Sequence, residues 1–107
     1  MATITEIPLR SDLPWFAETV ELAGVQYRLE FAWNTRDARW YFSILAADGT
    51  QLVMGLPIVV DFPILNRFTD DRLPDGDLWV WDVSGDGIEP DQYDLGDRVK
   101  MFLVEED

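Results

Sequence analysis

Residues 25–60 read VQYRLEFAWNTRDARWYFSILAADGTQLVMGLPIVV, and the spacing of the apolar side chains in this stretch decides the fold. In the first run Tyr27, Leu29, Phe31 and Trp33 alternate with Gln26, Arg28 and Glu30, the two-residue period of a strand with one face buried. Trp40, Phe42 and Ile44 repeat the period in a second run. Between the two, Asn34-Thr35-Arg36-Asp37 supplies residues that tolerate turn geometry. Asp48-Gly49 is the pair favoured in a two-residue hairpin with positive φ, and it leads into a third apolar run from Thr50 to Val60. The stretch predicts a three-stranded antiparallel meander, its last strand either buried on both faces or bent at Gly55 and Pro57.

Working outward, Ala2 to Leu9 places Ile4 and Ile7 among polar residues and reads as a first strand. Trp15 to Leu22 carries Phe16, Val20 and Leu22 against Glu18 and Glu21, and Ala23-Gly24 turns it into the meander. Beyond it, Phe62 to Phe68 allows a turn of helix or an irregular crossing, since Pro63 suits an early helical position. Thr69 to Asp77 is a loop by composition. Leu78 to Val83 is a short strand, Ser84 to Asp97 a long acidic loop, and Val99 to Val104 a closing strand. Seven short strands without helical periodicity predict an all-β domain over residues 1–107, a small antiparallel sandwich or barrel.

Composition excludes several function classes. A chain of 107 residues buries roughly 65% of its unfolded surface, enough for one modest core, and five Trp help to fill it. Without Cys there is no disulfide framework or thiolate chemistry, and without His the commonest general base and transition-metal ligand is missing. No apolar run approaches the roughly 18 residues of a membrane span, and the first residues lack the basic start and apolar stretch of a signal peptide. A chain made and kept in a cytosol is expected. The net charge of −13 comes from 21 acids against 8 bases. It is concentrated after residue 60, and it opposes direct binding to nucleic acid or to an anionic membrane while favouring basic partners or metal cations.

Candidate chemistry is sparse. Asp82-Val83-Ser84-Gly85-Asp86-Gly87 resembles the opening of a calcium loop, but Tyr93 stands where the twelfth-position Glu belongs and the flanks read as strands. An acidic turn is expected there. The carboxylate pairs Asp70/Asp71 and Glu89/Asp91 have nothing to single them out for acid–base work, so no catalytic residue, metal or cofactor is expected. Trp79 and Trp81 lie two apart on a strand and share a face. Because Leu78 and Val80 make the opposite face apolar as well, burial of the Trp pair in a subunit interface is the economical reading. The acidic loop residues Asp86, Glu89, Asp91 and Asp94 are candidate contacts for a basic partner.

The order of Tyr27-Arg28-Leu29, Trp33-Asn34, Arg36, Trp40-Tyr41, Asp48-Gly49 and Gly55 resembles the small plug proteins at the baseplate of contractile-tailed phages, of the cyanophage kind. Pro74-Asp75-Gly76-Asp77-Leu78 followed by Asp82, and Asp94-Leu95-Gly96 followed by Val99 and Leu103, resemble that family's later turn and closing segment. The likeness runs from about Phe16 to Val104 and departs at Asp75, where a more permissive residue is expected. It implies a structural role and no enzyme: a virion subunit at the tail tip, assembled in the host cytoplasm. The implied partners are the baseplate hub, the tail tube proteins and other copies of itself, with edge strands free to pair with partner strands. The alternative is an acidic inhibitor that imitates DNA and occupies a basic groove on a nucleic-acid-binding protein.

Overall fold

The computed structural model describes residues 2–10, 12–61, 63–65, 73–74, 76–85, 87, 89–91 and 93–106. Seven strands account for the regular structure among them: β1 (Ala2–Ile7), β2 (Trp15–Leu22), β3 (Val25–Asn34), β4 (Arg39–Ala46), β5 (Gln51–Pro57), β6 (Asp77–Asp82) and β7 (Val99–Glu106). They form a four-stranded sheet ordered β2-β3-β4-β5 and a three-stranded sheet ordered β1-β7-β6, both antiparallel. The fold is sandwich-like and all-β, and the expected meander is present with β2 added as a fourth strand.

Each turn follows from its residues. Ala23 and Gly24 join β2 to β3 with φ of 52° and 83°, the doubly positive geometry that matches the twist of paired strands. Asn34 caps the β3–β4 turn by accepting the Asp37 N–H at 3.1 Å. The β4–β5 connection corrects the two-residue hairpin expected at Asp48-Gly49. Ala46 and Thr50 close a three-residue loop, in which the Gly49 N–H donates to the Ala46 carbonyl at 2.9 Å. Only Gly49 of the pair takes a positive φ, 93°, because Asp48 is held in an Asx turn by the Thr50 N–H at 3.0 Å.

The run after Gly49 is bent rather than buried on both faces. β5 ends at Pro57, its register against β4 shifts on either side of Ile44, and Met54 is exposed. Gly55 takes φ of 70° and donates its N–H to Ser43 Oγ at 3.0 Å. The helical turn considered for Phe62 to Phe68 falls mostly outside the described residues, though Ile64 and Leu65 lie in a buried turn. The loop expected over Thr69 to Asp77 lies outside them too, apart from Leu73, Pro74, Gly76 and Asp77, the last of which opens β6.

The inner faces meet in one core. Phe16, Leu22, Tyr27, Leu29, Phe31, Trp40, Phe42, Ile44 and Leu56 come from the larger sheet; Ile7, Leu78, Val80, Val99, Met101 and Leu103 come from the smaller. Phe16 stacks on Phe31 at 4.7 Å and Phe31 on Phe42 at 5.8 Å, while Trp40 meets Phe16 and Trp33 edge-on at 6.0 and 5.8 Å. Such aromatic pairs contribute roughly 0.5–1.5 kcal/mol each beyond area burial. Glu18 breaks the pattern. Paired with Leu29 across β2–β3, it lies on the apolar face with Oε2 buried and without a hydrogen-bond partner.

Candidate interface on the outer face of the smaller sheet

Alternation along β6 sends Leu78 and Val80 into the core and leaves Trp79 and Trp81 outside, half-buried. In an antiparallel pair, residues directly opposite share a face, so the register identifies their neighbours. Trp79 lies opposite Phe102, Trp81 opposite Lys100 and Asp77 opposite Val104. On the other side of β7, Ile4 lies opposite Val104 and Glu6 opposite Phe102. The outer face therefore carries Ile4, Val104, Phe102, Trp79 and Trp81 in a continuous apolar band edged by Glu6, Asp77 and Lys100. Trp81 packs on Phe102 at 4.6 Å and on Trp79 at 6.1 Å, and Ile4 is 56% exposed. The outer face of the larger sheet is mixed: Thr19, Arg28, Glu30 and Ser43 share it with Tyr41, the buried Leu45 and the exposed Trp15, and Arg28 pairs with Glu30 at 2.9 Å.

The acidic loop after β6 serves a different end. Its organiser is Arg98, whose guanidinium donates to Asp82 Oδ2 at 2.6 Å, to Asp94 Oδ2 at 2.8 Å and to the Glu89 carbonyl at 3.1 Å. Asp82 is buried, and its Oδ1 accepts the N–H and hydroxyl of Ser84 at 3.0 and 2.5 Å. The Arg98 guanidinium holds the Asp94 carboxyl below its usual range and is itself raised, chiefly by that partner. Asp94 also accepts the Asp91 N–H at 2.7 Å. The Asp91 carbonyl accepts Trp40 Nε1–H at 3.1 Å, and Glu89 Oε1 accepts the Val60 N–H at 2.7 Å. Trp40 belongs to the larger sheet while Asp82 and Arg98 flank the smaller, so this loop straps the two together.

Of the candidate contacts read from the sequence, Trp79 and Trp81 sit together on the outward face. Glu89, Asp91 and Asp94 gather around Arg98 elsewhere, and Asp86 lies outside the described residues. The calcium-like segment puts Asp82 against Arg98. The motif residues divide by role. Tyr27, Trp40, Pro74, Leu78 and Leu95 are buried, Trp33 packs against the core, and Arg36 is exposed in its turn. Gly76 and Gly96 have φ of 96° and 82° and are pressed on backbone. A side chain at Gly76 would run into the Val104 carbonyl, and one at Gly96 into that of Leu9. Sequence reading missed Ile4, Phe102 and Val104 as members of the apolar face; the signal was the period of Lys100, Phe102 and Val104 within a strand read simply as apolar. It also missed Arg98, a cation following a run of acids.

A filled core between two antiparallel sheets, with an aromatic band on the outer face of the smaller one, defines a class, the small all-β sandwich module. The chain belongs to the cyanophage baseplate plug family: the family described as Cyanophage baseplate Pam3 plug gp18 matches residues 4–106, nearly the whole chain. Comparison with curated proteins gives no match. Membership makes this a baseplate protein of the phage tail, associated with other baseplate components.

Proposed function

We propose that the chain is a plug-like subunit at the tail tip, packed through the outer face of its smaller sheet against the hub and tail tube proteins. The carrying observation is that face. Ile4, Trp79, Trp81, Phe102 and Val104 lie on the side of the sheet turned away from the core and form one continuous apolar band across all three of its strands. Tryptophan and phenylalanine are enriched at the centres of interfaces. The role is structural rather than catalytic, with assembly in the host cytoplasm. The acidic surface supports it indirectly: a net charge of −13 steers the chain toward basic surfaces, while Glu89 and Asp94 are spent inside the loop. The same internal pairing leaves the DNA-imitating inhibitor without an observation in its favour.

The test is quantitative mass spectrometry of purified particles, counting this chain against the tail tube protein. A small fixed number of copies per particle is the expected result. Absence from particles, with the chain present in extracts of infected cells, would refute the reading.

A further inference from the structure

The two sheets have four edges, and three carry devices that discourage pairing with another strand. Along β6 the outer edge is covered: the Asp61 N–H donates to the Val80 carbonyl at 2.8 Å and the Ile64 N–H to the Leu78 carbonyl at 2.9 Å. The β5 edge is interrupted by register shifts, by Gly55 and by Pro57, which lacks an N–H. On β2 the inward Glu18 places a carboxylate on the core face of an edge strand. Among the described residues, β1 has no such device. Its sequence, Ala2-Thr3-Ile4-Thr5-Glu6-Ile7, contains neither Pro nor Gly, is mostly β-branched, and pairs with β7 in unbroken register.

The phase of the ladder shows which backbone groups this edge presents. Val80 and Leu78 turn their carbonyls to the covering segment, so by alternation Asp77, Trp79 and Trp81 bond to β7. Their partners Val104, Phe102 and Lys100 are thereby used toward β6. Met101, Leu103 and Glu105 are left to bond β1 through Ile7, Thr5 and Thr3. The N–H and C=O groups of Ile4 and Glu6 consequently point away from the sheet, and their side chains belong to the apolar outer face and its rim.

We infer that the free edge of β1 takes up a strand from a basic partner protein, one that sets an apolar side chain beside Ile4 and a Lys or Arg beside Glu6. Strand addition there extends the smaller sheet beyond β1 and continues the Ile4–Val104–Phe102–Trp79–Trp81 band, so edge and face form one interface. Charge selects the occupant: a second copy would bring two chains of −13 together, whereas a basic strand is attracted. The partner's identity as a baseplate component rests on the function proposed above; the edge and its chemistry do not.

The test uses the full chain, isotope-labelled, titrated with a short synthetic peptide alternating lysine and valine, at low and high salt. Chemical-shift changes and slowed amide exchange centred on Ile4 and Glu6 are expected, weakening with salt. Glu6→Pro deletes an outward N–H without removing a bond to β7 and lowers affinity at least about tenfold. Glu6→Ala keeps the N–H, so it binds with the same slowed exchange at Ile4 but a shallower salt dependence. Ile4→Pro, on the same outward row, replaces Glu6→Pro if that variant loses its dispersed spectrum. Unchanged binding by the proline variants, or effects centred on the acidic loop, would overturn the inference. So would a wild-type chain that dimerises through Ile4 and Glu6 without peptide. In particles, wild type and Glu6→Ala should be incorporated and Glu6→Pro excluded; equal incorporation of all three also overturns it. Particles lacking even the wild-type chain would refute the plug reading, and the peptide result would still decide the edge.

Discussion

Replacing Gly96 by Ala isolates the close approach that seats the acidic loop against the segment following β1. Gly96 has φ of 82°, and an added Cβ would be driven onto the Leu9 carbonyl oxygen, with the carbonyl carbon at 2.9 Å and Arg10 N at 3.5 Å. Two penalties add. An L-residue in the left-handed region costs about 1–2 kcal/mol, and overpacking costs about 1–3 kcal/mol where the neighbour cannot give. Leu9 cannot readily give, because its side chain packs on the core. The sum is about 2–5 kcal/mol, out of a total stability typically about 5–15 kcal/mol. At about 4–8 °C per kcal/mol for a domain near this size, Gly96→Ala should melt at least about 8 °C below wild type. Gly49→Ala is the control: its φ is 93° but nothing lies within 4 Å of the added atom, so the conformational penalty acts alone. Urea unfolding followed by Trp fluorescence would give midpoints and slopes for all three chains. Equal losses in the two variants would refute the reasoning, since the backbone contact would then contribute nothing.

Arg98→Gln should free the acidic loop and remove an acid-dependent transition. Asp94 has a depressed folded-state pKa from its bond to Arg98. Its stabilisation is therefore complete above the ordinary value of 3.8 and is lost as pH falls through the lower folded value; a melting profile at acid pH that Arg98→Gln leaves unchanged would contradict this. Glu18 has the opposite sign: burial raises its carboxyl, so its stabilising contribution is present below the ordinary value of 4.5 and is lost as pH rises through the folded value. Glu18→Gln should melt above wild type at neutral pH and converge with it in acid, and parallel profiles would count against the assignment. Trp81→Ala should cost only about 1 kcal/mol of stability, the scale of its contact with Phe102, yet lower the copies of the chain per particle at least tenfold; normal incorporation would remove Trp81 from the interface.

Most of the larger sheet was legible because its strands are consecutive and their apolar residues keep a strict period from Tyr27 to Ile44. Trp79 and Trp81 were legible as a face for the same reason. What escaped depends on pairing between distant residues. Nothing local to Ala2–Ile7 announces that it lies against Val99–Glu106, so the band from Ile4 to Trp81 is visible only once that register is known. The role of Arg98 escaped for a related reason: sequence gives the charges of a loop but not which acid its cation reaches. The Asp48-Gly49 turn was misjudged because the Asp48 side chain competes for the Thr50 N–H, a local bond that a dipeptide preference does not weigh.

The pairing of β1 with β7 orders events during synthesis. Residues 15–57 contain every strand of the larger sheet, joined by short loops, and such local contacts form quickly. The smaller sheet needs residues 2–7 and 99–106 together, so its outer face is assembled only when β7 emerges from the ribosome. The face proposed for docking is therefore the last part of the fold to take shape.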